Sequence, residues 1–124
     1  MKVKKLLDKN LHRVNTISPD EPVSKAIKLM SKKETNVLVV TDNGNIVGIL
    51  TDADYDRKVI LKGKKSRYIL VREIMTTKVI SATPNQTLSK CLSLMTKNHF
   101  RHLPVTENEE LIGILSIEDI RRNI

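Results

Sequence analysis

Residues 18–59 and 83–124 of this 124-residue chain run in register without a gap, at a constant offset of 65, and 15 of the 42 aligned positions are identical. "SPDEPVSKAIKLMSKK" answers "TPNQTLSKCLSLMTKN", and "VLVVTDNGNIVGILTDAD" answers "HLPVTENEELIGILSIED". Self-similarity at so long a period means two copies of one supersecondary unit, each too small to bury its apolar face alone. The cleft between two such halves is a natural place for a ligand.

Each copy reads as strand, helix, strand, strand, helix. Apolar residues at helical spacing mark the first helix: Val23, Ala26, Ile27 and Met30 in one copy, Leu88, Cys91, Leu92 and Met95 in the other. Pro22 suits the first helical turn, where its missing N–H costs nothing. Next come two β-branched runs, "NVLVV" and "IVGIL", joined by Asp42-Asn43-Gly44-Asn45, a strong hairpin signal. The second copy uses Glu107-Asn108-Glu109-Glu110, a less favourable turn. The hairpin strands are apolar nearly throughout, as expected in the middle of a covered sheet. A closing helix is predicted over Asp52–Leu61 and again from Ile117 to the chain end. Between the copies Gly63–Tyr68 reads as a loop and Val71–Met75 as a short helix leading into the second copy; "VKKLLDKN" near the start resembles that lead-in. In sequence order the chain divides into a first repeat with its lead-in (1–62), a basic linker (63–70) and a second repeat (71–124).

Charge narrows the partners. The net charge is +8, concentrated in the Lys-rich N-terminus and in Arg57–Arg72, where Arg57, Lys58, Lys62, Lys64, Lys65, Arg67 and Arg72 meet no intervening acid. Such a run is either a solvated connector or a patch that attracts nucleic acid, lipid headgroups or a phosphorylated ligand. Tyr55, Tyr68 and Phe100 offer no stacking platform for single-stranded nucleic acid. No apolar run approaches the roughly 20 residues of a membrane span, so no membrane insertion is expected. The N-terminus lacks the apolar stretch of a secretory signal. One cysteine, Cys91, allows no internal disulfide and fits a reducing interior, so a cytoplasmic location is expected. Cys91 aligns with Ala26 on the buried stripe and reads as a small core residue.

The chemistry is predicted where the last strand turns into the last helix. Gly48-Ile49-Leu50-Thr51-Asp52-Ala53-Asp54 is answered by Gly113-Ile114-Leu115-Ser116-Ile117-Glu118-Asp119. A hydroxyl followed three residues later by a carboxylate resembles a capping box. The same geometry serves a ligand: helix-end N–H groups favour phosphate, and a neighbouring carboxylate accepts from ribose hydroxyls. Duplication, with a glycine before each site that lets backbone come close, favours the ligand. The second copy adds Phe100-Arg101-His102-Leu103-Pro104-Val105. Arg101 offers a planar fork suited to phosphate, and Pro104 removes a ladder donor in mid-strand, marking a free edge or a place where another group approaches. Asn36, Val37 and Val39 stand at the matching positions of the first copy, so a phosphate clamp would be asymmetric, with the second copy the stronger.

These motifs resemble the cystathionine-β-synthase (CBS) domain, and the whole chain resembles a tandem pair, or Bateman module, of the stand-alone bacterial and archaeal type. The paired G-h-x-[ST]-x-x-D segments, "SPDEPVSKAIKLM", "FRHLPV" followed by "LIGILS", and "DYDRKVILKGKKS" carry the resemblance. It implies an α/β fold of two βαββα-type repeats packed about a pseudo-two-fold axis, with small mixed sheets covered by helices, and a tendency to form homodimers. It implies an adenosine-containing ligand, AMP, ADP or ATP ahead of S-adenosylmethionine or NAD, in the clefts between repeats, and regulation of a separate protein. By position, Asp54 and Asp119 would hold ribose hydroxyls, Thr51 and Ser116 would contact ribose or phosphate, and Arg101 with His102 would meet phosphate beside Pro104. Ile17, Ser18 and Pro19, or Ile80, Ser81, Ala82 and Pro84, would flank the adenine. The alternative reading is a basic module binding nucleic acid through Arg57–Arg72.

Catalysis finds no support in the pattern: no base or nucleophile stands beside the capping aspartates. His99 and His102 lie three residues apart with His12 far off and no cysteine cluster beside them, so no metal site is expected.

Overall fold

The computed structural model describes residues 1–9 and 14–124; His12 lies outside the described residues. The chain packs as two compact units, one of Asn15–Val79, the other of Met1–Val14 together with Ile80–Ile124. We call them the first-repeat and second-repeat units.

The first-repeat unit holds β1 (Thr16–Ile17), α2 (Val23–Lys32), β2 (Val37–Asp42), β3 (Asn45–Thr51), α3 (Asp52–Tyr55) and α4 (Val71–Ile74). Its sheet has the order β1-β2-β3, with β1 parallel and β3 antiparallel to β2. The second-repeat unit holds α1 (Val3–Lys9), α5 (Leu88–Asn98), β4 (His102–Glu107), β5 (Glu110–Ser116) and α6 (Ile117–Arg122). Both follow the βαββα pattern; in the second the first strand is reduced to a parallel bridge, Ala82↔Val105, beside the antiparallel β4–β5 pair. Of the predicted apolar stripes, Val23, Ala26 and Met30 in α2 and Leu88, Cys91 and Met95 in α5 are buried, while Ile27 and Leu92 are half-buried against the cores. Both helices close on a left-handed residue, Glu34 and His99, after which Thr35 and Phe100 N–H donate back to Met30 and Met95 carbonyls. His99 thus has a backbone role.

Each hairpin turns on two residues of positive φ, Asn43–Gly44 and Asn108–Glu109, inside the pairs Asp42↔Asn45 and Glu107↔Glu110. A bulge follows at the same place in both, between Val40 and Thr41 and between Val105 and Thr106. Pro22 is the N-cap of α2, one residue outside the first turn. The predicted helix over Asp52–Leu61 is α-helical only to Tyr55; Asp56–Ile60 is a π turn.

The lead-ins exchange repeats. Val71 and Arg72 N–H groups donate to Glu21 and Pro19 carbonyls, at 2.8 and 3.0 Å, so α4 belongs to the first repeat. Val3 and Lys4 N–H groups donate to Gln86 and Pro84 carbonyls, both at 2.9 Å, so α1 belongs to the second. The division by contact therefore differs from the sequence-order boundaries 1–62, 63–70 and 71–124. The lead-ins correspond at an offset of 68, three more than the repeats themselves: Val3 answers Val71, and Leu7 answers Met75.

Candidate functional site

In the first-repeat unit β3 ends at Thr51 and α3 begins at once. The expected capping box is present: Asp54 N–H donates to Thr51 Oγ1 at 3.3 Å, and Thr51 N–H donates to Asp54 Oδ2 at 3.1 Å. Further donors converge on the same carboxylate. Thr51 Oγ1 reaches Oδ2 at 3.3 Å, Thr76 Oγ1 reaches Oδ1 at 3.2 Å, and Lys58 Nζ lies 3.1 Å from Oδ1. The Asp54 side chain is 3% exposed. Sequence reasoning missed Lys58 and Thr76 as its partners. Lys58 stands four residues on, at a readable helical spacing; Thr76 is 22 residues away and left no local signal.

In the second-repeat unit β5 ends at Ser116, whose Oγ accepts from Asp119 N–H at 3.1 Å. His102 faces Ser116 across the β4–β5 ladder, and Ile117 N–H donates to the Arg101 carbonyl at 2.9 Å. Sheet pairing thus brings Arg101, His102, Ser116 and Asp119 to one corner. Asp119 ion-pairs with Arg122 at 3.1 Å, and its side chain is 14% exposed. Arg101 is exposed and ion-pairs with Glu118. The Glu118 carboxyl sits below its usual range, chiefly through its own backbone N–H, opposed by partial burial and helped by the charge of Arg101.

Pro104 acts on the backbone of the neighbouring segment. In the first repeat Val39 N–H donates to the Asn15 carbonyl at 3.0 Å, and β1 is a paired strand. Pro104 occupies Val39's position and has no N–H, so the Ile80 carbonyl cannot receive that bond. The segment is held instead through Ala82, whose N–H donates to the Pro104 carbonyl at 2.9 Å, in a single bridge to Val105. Pro104 therefore loosens Ile80 and Ser81 from the sheet edge. Ala82 and Pro84 are buried and Ser81 is exposed. In the other unit Ile17 and Pro19 are buried, while Ser18 Oγ accepts from Asp20 N–H.

The glycines before each site serve the fold. A Cβ at Gly48 would lie 2.7 Å from Met75 Sδ and 3.0 Å from the Thr76 carbonyl oxygen; one at Gly113 would lie 2.7 Å from Leu7 Cδ2. The close approach expected of a ligand is made by the lead-in. Grooves also lie within each unit. Ile17 and Ser18 line one of about 490 Å³ with Lys25, Lys28 and Lys32, and Pro84 lines one of about 700 Å³ beside Glu107–Glu109. Neither Asp54 nor Asp119 lines either of these grooves.

In the connector, acids from other elements meet cations that lacked them in sequence: Lys58 pairs with Asp54, and Arg72 with Asp20. Lys62, Lys64, Lys65 and Arg67 are exposed, as is Tyr68, with the Arg67 guanidinium 5.0 Å from its ring centre. Among the described residues, no group of three or more His, Cys, Asp or Glu could hold a metal ion, and no helix is long and apolar enough to cross a membrane.

Comparison with known proteins agrees with this fold. The family model of the CBS domain matches twice, over residues 3–60 and 71–124. The mitochondrial CBS domain-containing protein CBSX3 of Arabidopsis thaliana is 37% identical over 110 residues, covering 85% of this chain; the chain spans about half (53%) of that relative's length. A solved CBS-domain protein from Burkholderia ambifaria superposes with a TM-score of 0.94 at 38% identity, covering 99% of this chain and 93% of its own. The CBS domain pair of protein MJ0100, solved in complex with 5′-methylthioadenosine and S-adenosyl-L-methionine, superposes with a TM-score of 0.86 at 29% identity, covering 99% and 94%. Both ligands of the MJ0100 pair bear an adenosyl group. With both repeats matched by sequence and by fold, the chain belongs to the CBS-domain family as a tandem pair, a Bateman module.

Proposed function

We propose that this CBS pair senses an adenosine nucleotide, AMP, ADP or ATP, through the second repeat, and that occupancy there modulates a separate protein. The observation that carries this reading is the convergence of Arg101, His102, Ser116 and Asp119 at the β4–β5–α6 corner. Asp119 accepts from the ribose hydroxyls and Ser116 donates to ribose or phosphate. Arg101, which leaves Glu118 for the ligand, supplies the planar fork that a phosphate fits. The strand edge that Pro104 loosens at Ile80 and Ser81, with Ala82 and Pro84, flanks the base. The adenosyl ligands of the MJ0100 pair support the ligand class. A cation beside the carboxylate favours a phosphorylated ligand over S-adenosylmethionine, which carries a sulfonium and no phosphate. In this reading the protein acts as a homodimer, and the ligand shifts its equilibrium only by its differential affinity for two states.

Nucleic-acid binding through Arg57–Arg72 gains no support from the packing, since Lys58 and Arg72 are held by acids of their own unit. Calorimetric titration with AMP, ADP, ATP, S-adenosylmethionine and NAD, with GTP as control, tests the proposal. One phosphorylated adenosine ligand is expected to bind. Asp119→Ala is expected to weaken it by about tenfold or more, the scale of a lost hydrogen bond to a charged group. Silence across the panel, or unchanged affinity in Asp119→Ala, overturns the reading.

A further inference from the structure

Apolar side chains scattered singly over a surface need no explanation, but a cluster does. Among the described residues seven large apolar side chains are exposed, and four of them, Ile60, Leu61, Tyr68 and Leu70, fall within residues 60–70. Leu61 and Tyr68 are 78% and 74% exposed, the highest values of the set. The same segment carries Lys62, Lys64, Lys65 and Arg67, all exposed, and no acid. It is the part of the basic connector that remains once Lys58 has paired with Asp54 and Arg72 with Asp20.

Backbone bonds shape this segment. Gly63 N–H donates to the Ile60 carbonyl and Lys64 N–H to the Val59 carbonyl, both at 3.0 Å, with Gly63 at a φ of 65°. Tyr68 N–H closes a second turn on the Lys65 carbonyl, also at 3.0 Å. Val59 and Ile69, at its two ends, are buried in the same core cluster. A loop rooted at both ends in the core therefore presents the apolar and basic side chains together.

Four cations call for an anionic partner, and four exposed apolar side chains call for an apolar phase. Nucleic acid answers only the first demand. The grooves of about 490 and 700 Å³ take no lining from this segment, so it offers no described pocket for a peptide's anchoring side chain. An anionic bilayer surface answers both demands, with phosphates at the headgroup level and the acyl boundary just beneath. We propose that residues 60–70 form a docking surface for an anionic lipid bilayer. Leu61 and Tyr68 enter the boundary between headgroups and acyl chains, while Lys62, Lys64, Lys65 and Arg67 meet lipid phosphates. The chain then rests on the membrane without spanning it, and so small a patch makes the contact reversible. The proposal stands independently of the nucleotide reading.

Co-sedimentation with vesicles tests it, using phosphatidylcholine alone and phosphatidylcholine with about one-third phosphatidylglycerol, an anionic mixture of the kind basic segments favour. Wild type is expected to pellet with the anionic vesicles only, and to be released as salt rises to about 0.5 M. Lys64→Gln with Lys65→Gln is expected to weaken binding about thirtyfold, the scale for two cations near such a surface. Leu61→Ser with Tyr68→Ser is expected to weaken it about tenfold or more through lost apolar burial. Lys90→Gln with Lys97→Gln, which removes the same charge from exposed positions of α5, is expected to leave it unchanged. Urea titration checks that each variant folds, and all four substituted connector positions are exposed. No pelleting with anionic vesicles, equal pelleting with both kinds, or equal loss in the α5 variant overturns the proposal. So does unchanged binding in Leu61→Ser with Tyr68→Ser, which would mark a general polyanion patch. If that variant turns a dimer into a monomer in sedimentation equilibrium, the surface belongs to a second copy of the chain and the proposal falls.

Discussion

At the scale of single residues, two positions show what the fold tolerates at some cost. Glu109 holds φ at 65° in the second hairpin, where the first uses Gly44. A side chain with a Cβ in that region is disfavoured by roughly 1–2 kcal/mol. Glu109 also sits between Glu107 and Glu110, adding like charge to the turn. Glu109→Gly is therefore expected to raise stability by about 1 kcal/mol, less the extra freedom glycine gives the unfolded chain. A higher urea midpoint with an unchanged slope would show it. Cys91 is the second position. Burial pushes its thiol up, against the pull of nearby Lys90. A folded value above the unfolded one gives stability that is fully present below the unfolded value of about 8.5 and is lost as pH rises through the folded value. Urea midpoints from pH 7 to 10 should fall more steeply for wild type than for Cys91→Ala, which carries the residue found at Ala26. Parallel curves would mean that the thiol contributes nothing.

Elements repeat more faithfully than their surroundings. Both hairpins, both bulges and both left-handed helix ends recur at the offset of 65, because each is fixed by residues within a few positions of one another. That is why the strands, the stripes and the two hydroxyl caps, Thr51 with its reciprocal Asp54 bond and Ser116, were legible in the sequence. The glycines were legible as sites of close approach, but the approaching group was not, since Met75 lies 27 positions from Gly48 and Leu7 lies 106 from Gly113. Their surroundings also set unequal tolerance. At Gly48 a methyl meets the Thr76 carbonyl, which belongs to the backbone, whereas at Gly113 it meets a leucine methyl that rotates. Gly48→Ala is expected to cost about 1–3 kcal/mol, the usual penalty of overpacking, and Gly113→Ala distinctly less. Equal losses in chemical denaturation would contradict this. The contact of Asp54 with Thr76 escaped the sequence reading for the same reason: its capping partner Thr51 is local, while Thr76 reaches it from 22 positions away.

For the whole molecule, the exchange decides where the chain divides. Residues 15–79 contain a complete repeat with the lead-in that covers it, including the Asp54–Lys58–Ile74 contacts. Residues 1–62 contain the same strands but lack α4. A fragment of 15–79 is expected to give a cooperative urea transition, of low stability because so short a chain buries little of its surface. A fragment of 1–62 is expected to melt without one. Cooperative unfolding of 1–62, or none in 15–79, would place the division back at the linker. The same arrangement sets an order on biosynthesis. Residues 15–79 leave the ribosome together and can close at once, but α1 belongs against Pro84 and Gln86 and beside the β5 glycine Gly113. At about 5–20 residues per second, the N-terminal helix waits roughly 5–20 s for the last strand to appear. Meanwhile its apolar face, Val3 and Leu6, is open to a nascent neighbour on the same message, whose own second repeat offers the identical seat. This helix is made before the repeat that seats it.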